Sequence, residues 1–147
     1  MQIVALLTGR GNNTLTDKNV LPVLARPLLS YPANAAKGSK FINSLWVSSD
    51  CEKILNAAEA YEYKRIKRPE ELALPTSQHI DAIDHALKVM TENGVQPKIL
   101  VVMLANSVTI KTEWIDACIE LLLNDNHATA AVPVYQEMDH HPFRCKR

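Results

Sequence analysis

The sequence predicts a three-layer α/β fold built on a doubly wound, mostly parallel sheet. Short apolar runs alternate with amphipathic stretches along the chain. The runs Ile3–Leu7 and Ile99–Leu104 are apolar at consecutive positions, as in strands covered on both faces. Small or polar residues close the first run, Thr8-Gly9, and Ser48-Ser49-Asp50 closes a third short apolar run that starts at Leu45. This alternation, β-α-β-α-β-α-β-α-β, gives parallel strands with right-handed crossovers through helices on both faces.

The first strand, Ile3–Leu7, ends in the polar loop Thr8–Asp17, which carries one cation, Arg10. Ligands of open α/β sheets bind beyond the carboxyl ends of the strands, so this loop is the first candidate site. Gly9 and Gly11 allow close backbone approach and positive φ. Successive free amides there would form an anion nest, with Arg10 binding phosphate. The loop is neither a Walker A motif nor a dinucleotide fingerprint, and an ordinary tight turn fits it equally well.

Pro22 and Pro27 exclude a regular helix until Leu28–Lys37, where Pro27 serves the first turn and Gly38 the end. Leu45–Ser49 is the second strand, and Asp50 or Ser49 caps a helix over Cys51–Tyr61. Lys64–Ile66 is a third, charged strand near an edge. Thr76 or Ser77 caps a helix over Gln78–Glu92 with the inward stripe Ile80, Ile83, Ala86, Leu87 and Met90. Ile99–Leu104 reads as the central strand. Thr112 caps Glu113–Asn124, with Ile115, Ile119 and Leu122 inward. Ala128–Tyr135 is a fifth strand, its second half demoted to an edge or bulge by Pro133.

The 147 residues suit a single domain, and with 16 basic and 16 acidic side chains the net charge is zero. No global field draws the chain to nucleic acid or to an anionic membrane. No apolar run has membrane-span length, and the N-terminus enters a strand without a leader of signal type. Cys51, Cys118 and Cys145 are odd in number and widely spaced, which suits reduced thiols and the cytoplasm.

Several polar constellations compete with plainer explanations. Lys18-Asn19 offers a cation and an amide, though such a pair is more often a turn. Lys64, Arg65, Lys67 and Arg68 form a basic cluster that most simply makes a solvated face neutralised by Glu70 and Glu71. Arg68, beside Pro69 at a strand end, is the member expected to point into the crevice. On the following helix, Asp81 and His85 share a face at i, i+4, whereas His79 and Asp81 do not. A surface pair fits them better than a metal site. Asp139-His140-His141-Pro142-Phe143 holds adjacent histidines suited to a general base, to metal ligation or to hydrogen bonding with a sugar. No serine elbow or activated cysteine supports a covalent mechanism.

Six of these pieces, in register, resemble the acylneuraminate (sialic acid) cytidylyltransferase family. They are the first strand with Gly9-Arg10, Lys18-Asn19, Pro27-Leu28-Leu29-x-Tyr31, Val47-Ser48-Ser49-Asp50, Arg68-Pro69-Glu70-Glu71-Leu72-Ala73 and Asp139-His140-His141-Pro142-Phe143. The resemblance implies a nucleotide-diphospho-sugar-transferase-like (Rossmann-like) domain. It also implies a reaction in which an acidic nine-carbon 2-keto sugar attacks the α-phosphate of CTP, giving CMP-sugar and pyrophosphate with Mg²⁺. Arg10 would be the catalytic cation. Thr8, Gly9, Arg10, Gly11, Asn12, Asn19, Arg68 and Asn106 would surround the nucleotide, and His140 and His141 the sugar.

This sequence departs from the family at three points. Thr14 stands where the loop of the family carries a lysine. Ala105 replaces a glutamine near the nucleotide, with Asn106 as a partial substitute. The C-terminal part of the family, with its Asp-x-Asp metal pair, a further strand and the dimerisation element, is not in these 147 residues, so the expectation is CTP binding with little turnover. These departures leave open a non-catalytic nucleotide- or sugar-binding module, or a relative using another nucleotide.

Overall fold

A computed structural model describes residues 1–11 and 14–136. In chain order its elements begin with β1 (Ile3–Thr8), a small ribbon of β2 (Pro22–Val23) and β3 (Arg26–Pro27), and α1 (Ser30–Lys37). They continue through β4 (Ser44–Ser49), α2 (Glu52–Glu59), β5 (Lys64–Lys67), α3 (His79–Glu92), β6 (Ile99–Leu104) and α4 (Thr112–Asn124). Single 3-10 turns occupy Lys18–Val20 and Glu70–Ala73.

The main sheet is parallel, in the order β5-β4-β1-β6. The chain winds outward from β1 through β4 to β5, then returns to place β6 on the other side of β1. All six residues of β1 are buried, as its unbroken apolar run requires. Ile3, Ala5 and Leu7 face a core shared with α1, α2 and α4, while Val4 and Leu6 face Trp46, Ile66, Ala86 and Met90, the last two on α3. One strand thus holds both helix layers, and the three-layer doubly wound fold is as the sequence predicts.

Several local expectations are corrected. Helix α1 starts at Ser30 rather than Leu28, because Pro22–Val23 and Arg26–Pro27 pair antiparallel in a two-stranded ribbon. Leu24 and Ala25 make its turn, both at positive φ (49° and 64°). None of the described helices carries a side-chain cap, since the candidate caps bond elsewhere. Asp50 accepts from the Gly11 amide at 3.0 Å, Ser77 Oγ donates to the Glu71 carbonyl, and Thr112 Oγ1 donates to the Ala35 carbonyl at 2.8 Å. On α3 the buried face is centred on Ala82, Ala86 and Met90, and Ile80 is 57% exposed. The two alanines let the helix approach the sheet closely, which turns Ile80 to the flank.

The largest correction concerns β6. The strand pairs only with β1 among the described residues, and its Val102 and Leu104 are exposed. Residues 128–135 do not form the expected fifth strand. They run as irregular chain, with Val132, Val134 and Tyr135 exposed. Pro133 has no amide to donate, and the run Ala128–Ala131 has little apolar bulk to fix it on a sheet.

The basic cluster is neutralised by α2 rather than by Glu70 and Glu71. Arg65 pairs with Glu52 and Glu59, Lys67 pairs with Glu52 at 2.8 Å, and Lys64 lies over the Trp46 ring. Only Arg68 turns inward. No helix among the described residues is long and apolar enough to cross a membrane.

Candidate nucleotide-binding site

The carboxyl ends of β1 and β6, the segment after β5 and the start of α3 enclose a cavity of about 290 Å³. It lies where the winding of the sheet reverses, between β1 and β6, the usual place for a ligand in such folds. Thr8, Gly9 and Arg10 line it from β1, and Leu104 and Asn106 from β6. Lys18 and Asn19 come from the first 3-10 turn, and Arg68, Leu72 and Leu74 from the segment that leaves β5. Ser77, Gln78, His79 and Ala82 form the remaining wall. Among the described residues the lining holds three cations, Arg10, Lys18 and Arg68, and no carboxylate.

Arg68 is 5% exposed. Its Nη2 donates to the Ser48 carbonyl at 2.8 Å and its Nε to Ser48 Oγ at 3.2 Å. Its own amide donates to the Ser49 carbonyl, so backbone and side chain are both tied to β4. Burial lowers its pKa below the ordinary value, the Asp50 carboxylate opposes that shift, and the neighbouring Arg10 adds to it. An arginine pKa lies so high that the guanidinium stays charged. The result is a positioned, partly desolvated cation.

Arg10 leaves the end of β1 and donates from Nη1 to the Leu74 carbonyl at 3.3 Å, spanning the mouth of the cavity. Asn19 is buried, and its Nδ2 donates to the Arg10 carbonyl at 3.2 Å, which holds the loop backbone. The Gly9 amide donates to the Ser48 carbonyl and the Gly11 amide to Asp50, so neither is spare for an anion. Neither glycine has positive φ. What requires them is closeness: a Cβ on Gly9 would lie 3.0 Å from Ala105 Cβ, and one on Gly11 would lie 2.7 Å from Cys51 Cβ.

The structure therefore gathers Thr8, Gly9, Arg10, Asn19, Arg68 and Asn106 around one cavity and places Gly11 outside it, against Cys51 and Asp50. Asn12, His140 and His141 lie outside the described residues. His79, which its spacing only sets apart from the face of Asp81 and His85, joins the site. Its Nε2 is 2.9 Å from Thr8 Oγ1, a contact between residues 71 apart in the chain that no local spacing announces. Asp81, its neighbour in sequence, is exposed on the outside of the helix.

Among the described residues no three His, Cys, Asp or Glu side chains come together, and none lining the cavity is a carboxylate. This donor set does not fit a Mg²⁺ site, and no step of the chemistry is assigned to the metal here.

The fold and its cationic mouth define a nucleotide-diphospho-sugar-transferase-like domain. Two solved structures share that fold. The CMP:2-keto-3-deoxy-manno-octonic acid synthetase complexed with CTP matches at a TM-score of 0.70 and 17% identity, over 86% of this chain and 49% of the other. A cytidylyltransferase from Leptospira borgpetersenii matches at 0.67 and 20% identity, over 86% of this chain and 51% of the other.

The chain belongs to the cytidylyltransferase family, whose profile matches residues 10–142. The N-acylneuraminate cytidylyltransferase of Escherichia coli O18:K1:H7 is 35% identical over 92 residues, 62% of this chain and 22% of that protein. N-acylneuraminate cytidylyltransferase A of Danio rerio is 28% identical over 98% of this chain and 32% of its own length. The 3-deoxy-manno-octulosonate cytidylyltransferase of Thermodesulfovibrio yellowstonii is 28% identical over 88% of this chain and 51% of its own. The chain thus spans between about a fifth and a half of the length of these relatives.

Proposed function

We propose that this cavity binds CTP and that the protein takes part in transfer of its cytidylyl group to an acidic 2-keto sugar of the sialic-acid class. The observation that carries the proposal is the convergence of Arg10, Lys18 and Arg68 on one cavity at the switch point of the sheet, with no carboxylate among its described lining residues. A triphosphate needs such a site, because its oxygens must trade water for fixed cations.

In the proposed reaction a sugar hydroxyl oxygen attacks the α-phosphorus of CTP. The bond from that phosphorus to the oxygen bridging to the β-phosphate breaks, pyrophosphate leaves with the electron pair, and the hydroxyl proton passes to solvent. Little covalent work falls to the protein; it positions the reactants and neutralises charge. Arg10 is the cation assigned to the developing charge. Asn19 fixes the Arg10 backbone, and Arg68 acts as a rigid positive wall. Asn106 lies beside the nucleotide, and His140 and His141 are assigned to the sugar. The 35% identity to an N-acylneuraminate enzyme favours the nine-carbon acid over the octulosonate. The reading includes a cytoplasmic location, and it assigns homodimer formation to the C-terminal part of the family rather than to these 147 residues.

A second reading, a nucleotide- or sugar-binding module without turnover, draws on Thr14 in place of the loop lysine and on Ala105 in place of the glutamine. Two assays separate the readings. In a thermal-shift panel CTP should raise the melting temperature more than UTP, GTP or ATP, since a ligand of the folded state stabilises it. Pyrophosphate release is then followed with CTP, Mg²⁺ and either N-acetylneuraminic acid or 3-deoxy-manno-octulosonate. Release with the nine-carbon acid supports the transferase, and a CTP shift without release supports the binding module. Equal shifts with all four nucleotides would refute the assignment of CTP.

A further inference from the structure

The contact between His79 and Thr8 fixes more than position. Thr8 Oγ1 lies 3.2 Å from the Met103 carbonyl and 2.9 Å from His79 Nε2. A hydroxyl has one hydrogen, and a carbonyl accepts only. The assignment that satisfies both contacts has Thr8 donating to Met103 and accepting from His79 Nε2–H. The neutral imidazole then carries its proton on Nε2 and a lone pair on Nδ1. Nδ1 has no partner among the described residues. Burial and the nearby Arg68 both favour the uncharged ring.

His79 lines the cavity, where a ring lone pair would repel phosphate oxygens and take a hydrogen-bond donor. The three cations suit the phosphates. His79 stands instead with the apolar side chains Leu72, Leu74 and Ala82, which suit the flat face of a base. Resting on the reading of the cavity as a CTP site, we infer that His79 Nδ1 accepts a hydrogen bond from the exocyclic amino group of cytosine, making His79 a base-specificity residue. Cytosine presents an N4 amino donor where uracil presents an O4 acceptor, so the same lone pair attracts one base and repels the other.

Amide isosteres separate this role from a merely structural one. In His79→Asn the side-chain oxygen takes the Nδ1 position, keeping the acceptor and losing the bond to Thr8. In His79→Gln the amide nitrogen takes the Nε2 position, keeping the donor to Thr8 and losing the acceptor. Dissociation constants for CTP and UTP are measured by calorimetry on the wild type, His79→Ala, His79→Asn and His79→Gln, each checked for a cooperative melt. The wild type should prefer CTP. His79→Ala and His79→Gln should cut the preference roughly tenfold, the scale of one hydrogen bond that must be satisfied, while His79→Asn keeps most of it. The reverse pattern, with preference kept by Gln and lost by Asn, would show that His79 only holds Thr8. An unchanged CTP to UTP ratio in His79→Ala also overturns the assignment while leaving CTP binding intact. A wild type that binds neither nucleotide overturns this inference together with the proposed function.

Discussion

Arg68 reaches from the end of β5 to the end of β4 and bonds Ser48 twice, Nη2 to its carbonyl at 2.8 Å and Nε to its hydroxyl at 3.2 Å. A lysine ammonium has no planar fork to match that pair. Arg68→Lys should therefore lower stability by about 1–3 kcal/mol in chemical denaturation, the usual cost of leaving buried groups unpaired. It should also weaken CTP binding, because the charge is no longer held at the wall. Unchanged stability would show that the Ser48 contacts carry no net energy.

Gly9 and Gly11 differ in how much room they have. A methyl on Gly9 meets Ala105 Cβ at 3.0 Å and Asn19 Nδ2 at 3.2 Å, and one on Gly11 meets Cys51 Cβ at 2.7 Å. Overpacking of this kind costs about 1–3 kcal/mol. The melting temperature should fall for both alanine variants, and further for Gly11→Ala. Adding Ala105→Gly should restore part of the loss in Gly9→Ala and none in Gly11→Ala. Equal losses, or no rescue, would contradict the close approach.

These positions show what the sequence makes legible. The alternating α/β order was readable because β1 and β4 are apolar runs cut off by small polar residues. Arg68 was readable from its place beside a proline at a strand end. The failed caps were not, because Asp50, Ser77 and Thr112 find tertiary partners that compete with the nearest helix end. The run Ile99–Leu104 would look the same at the centre of a sheet or at its edge, since strand composition does not count neighbours. Residues 128–135 have a strand's composition, but Pro133 and the small side chains of Ala128–Ala131 leave too little to hold them on the open edge of β6. His79 was missed as a site residue because its partner, Thr8, is 71 residues away.

The ribbon turn stores strain that can be removed. Leu24 and Ala25 both sit in the left-handed region without a glycine, and Leu24 is 86% exposed. The ribbon is held on α1 by the Tyr31 hydroxyl, which donates to the Val23 carbonyl at 2.8 Å, and by Arg26 over the Tyr31 ring. Left-handed backbone costs an ordinary residue about 1–2 kcal/mol, and Asn-Gly suits this turn. The double substitution Leu24→Asn, Ala25→Gly should stabilise the protein by about 1–2 kcal/mol. A lower melting temperature would contradict the strained turn.

The pH dependence follows from His79. Burial first, then the positive charge of Arg68, lowers its pKa from the ordinary 6.5, and the other charged groups on the cavity wall, Arg10 and Lys18, are also positive. As pH falls, the unfolded chain takes up the proton before the folded one does. The stability contributed by neutral His79 is complete above about pH 6.5 and is lost as pH falls through the lower folded-state value. The wild-type melting temperature should therefore drop between about pH 7 and pH 5 by more than that of His79→Gln. Parallel curves for the two proteins would show that His79 is not held neutral by its surroundings.

On the proposed function, Arg10 and its cavity bind the triphosphate of CTP. Isothermal titration calorimetry of CTP into the wild type and into Arg10→Ala tests it most directly, with melting curves confirming that both proteins are folded. The wild type should give saturable heat, and the variant should lose at least tenfold in affinity, the scale of one charge-assisted contact. Equal affinities in the two proteins, or no CTP binding by the wild type, would contradict that role of Arg10.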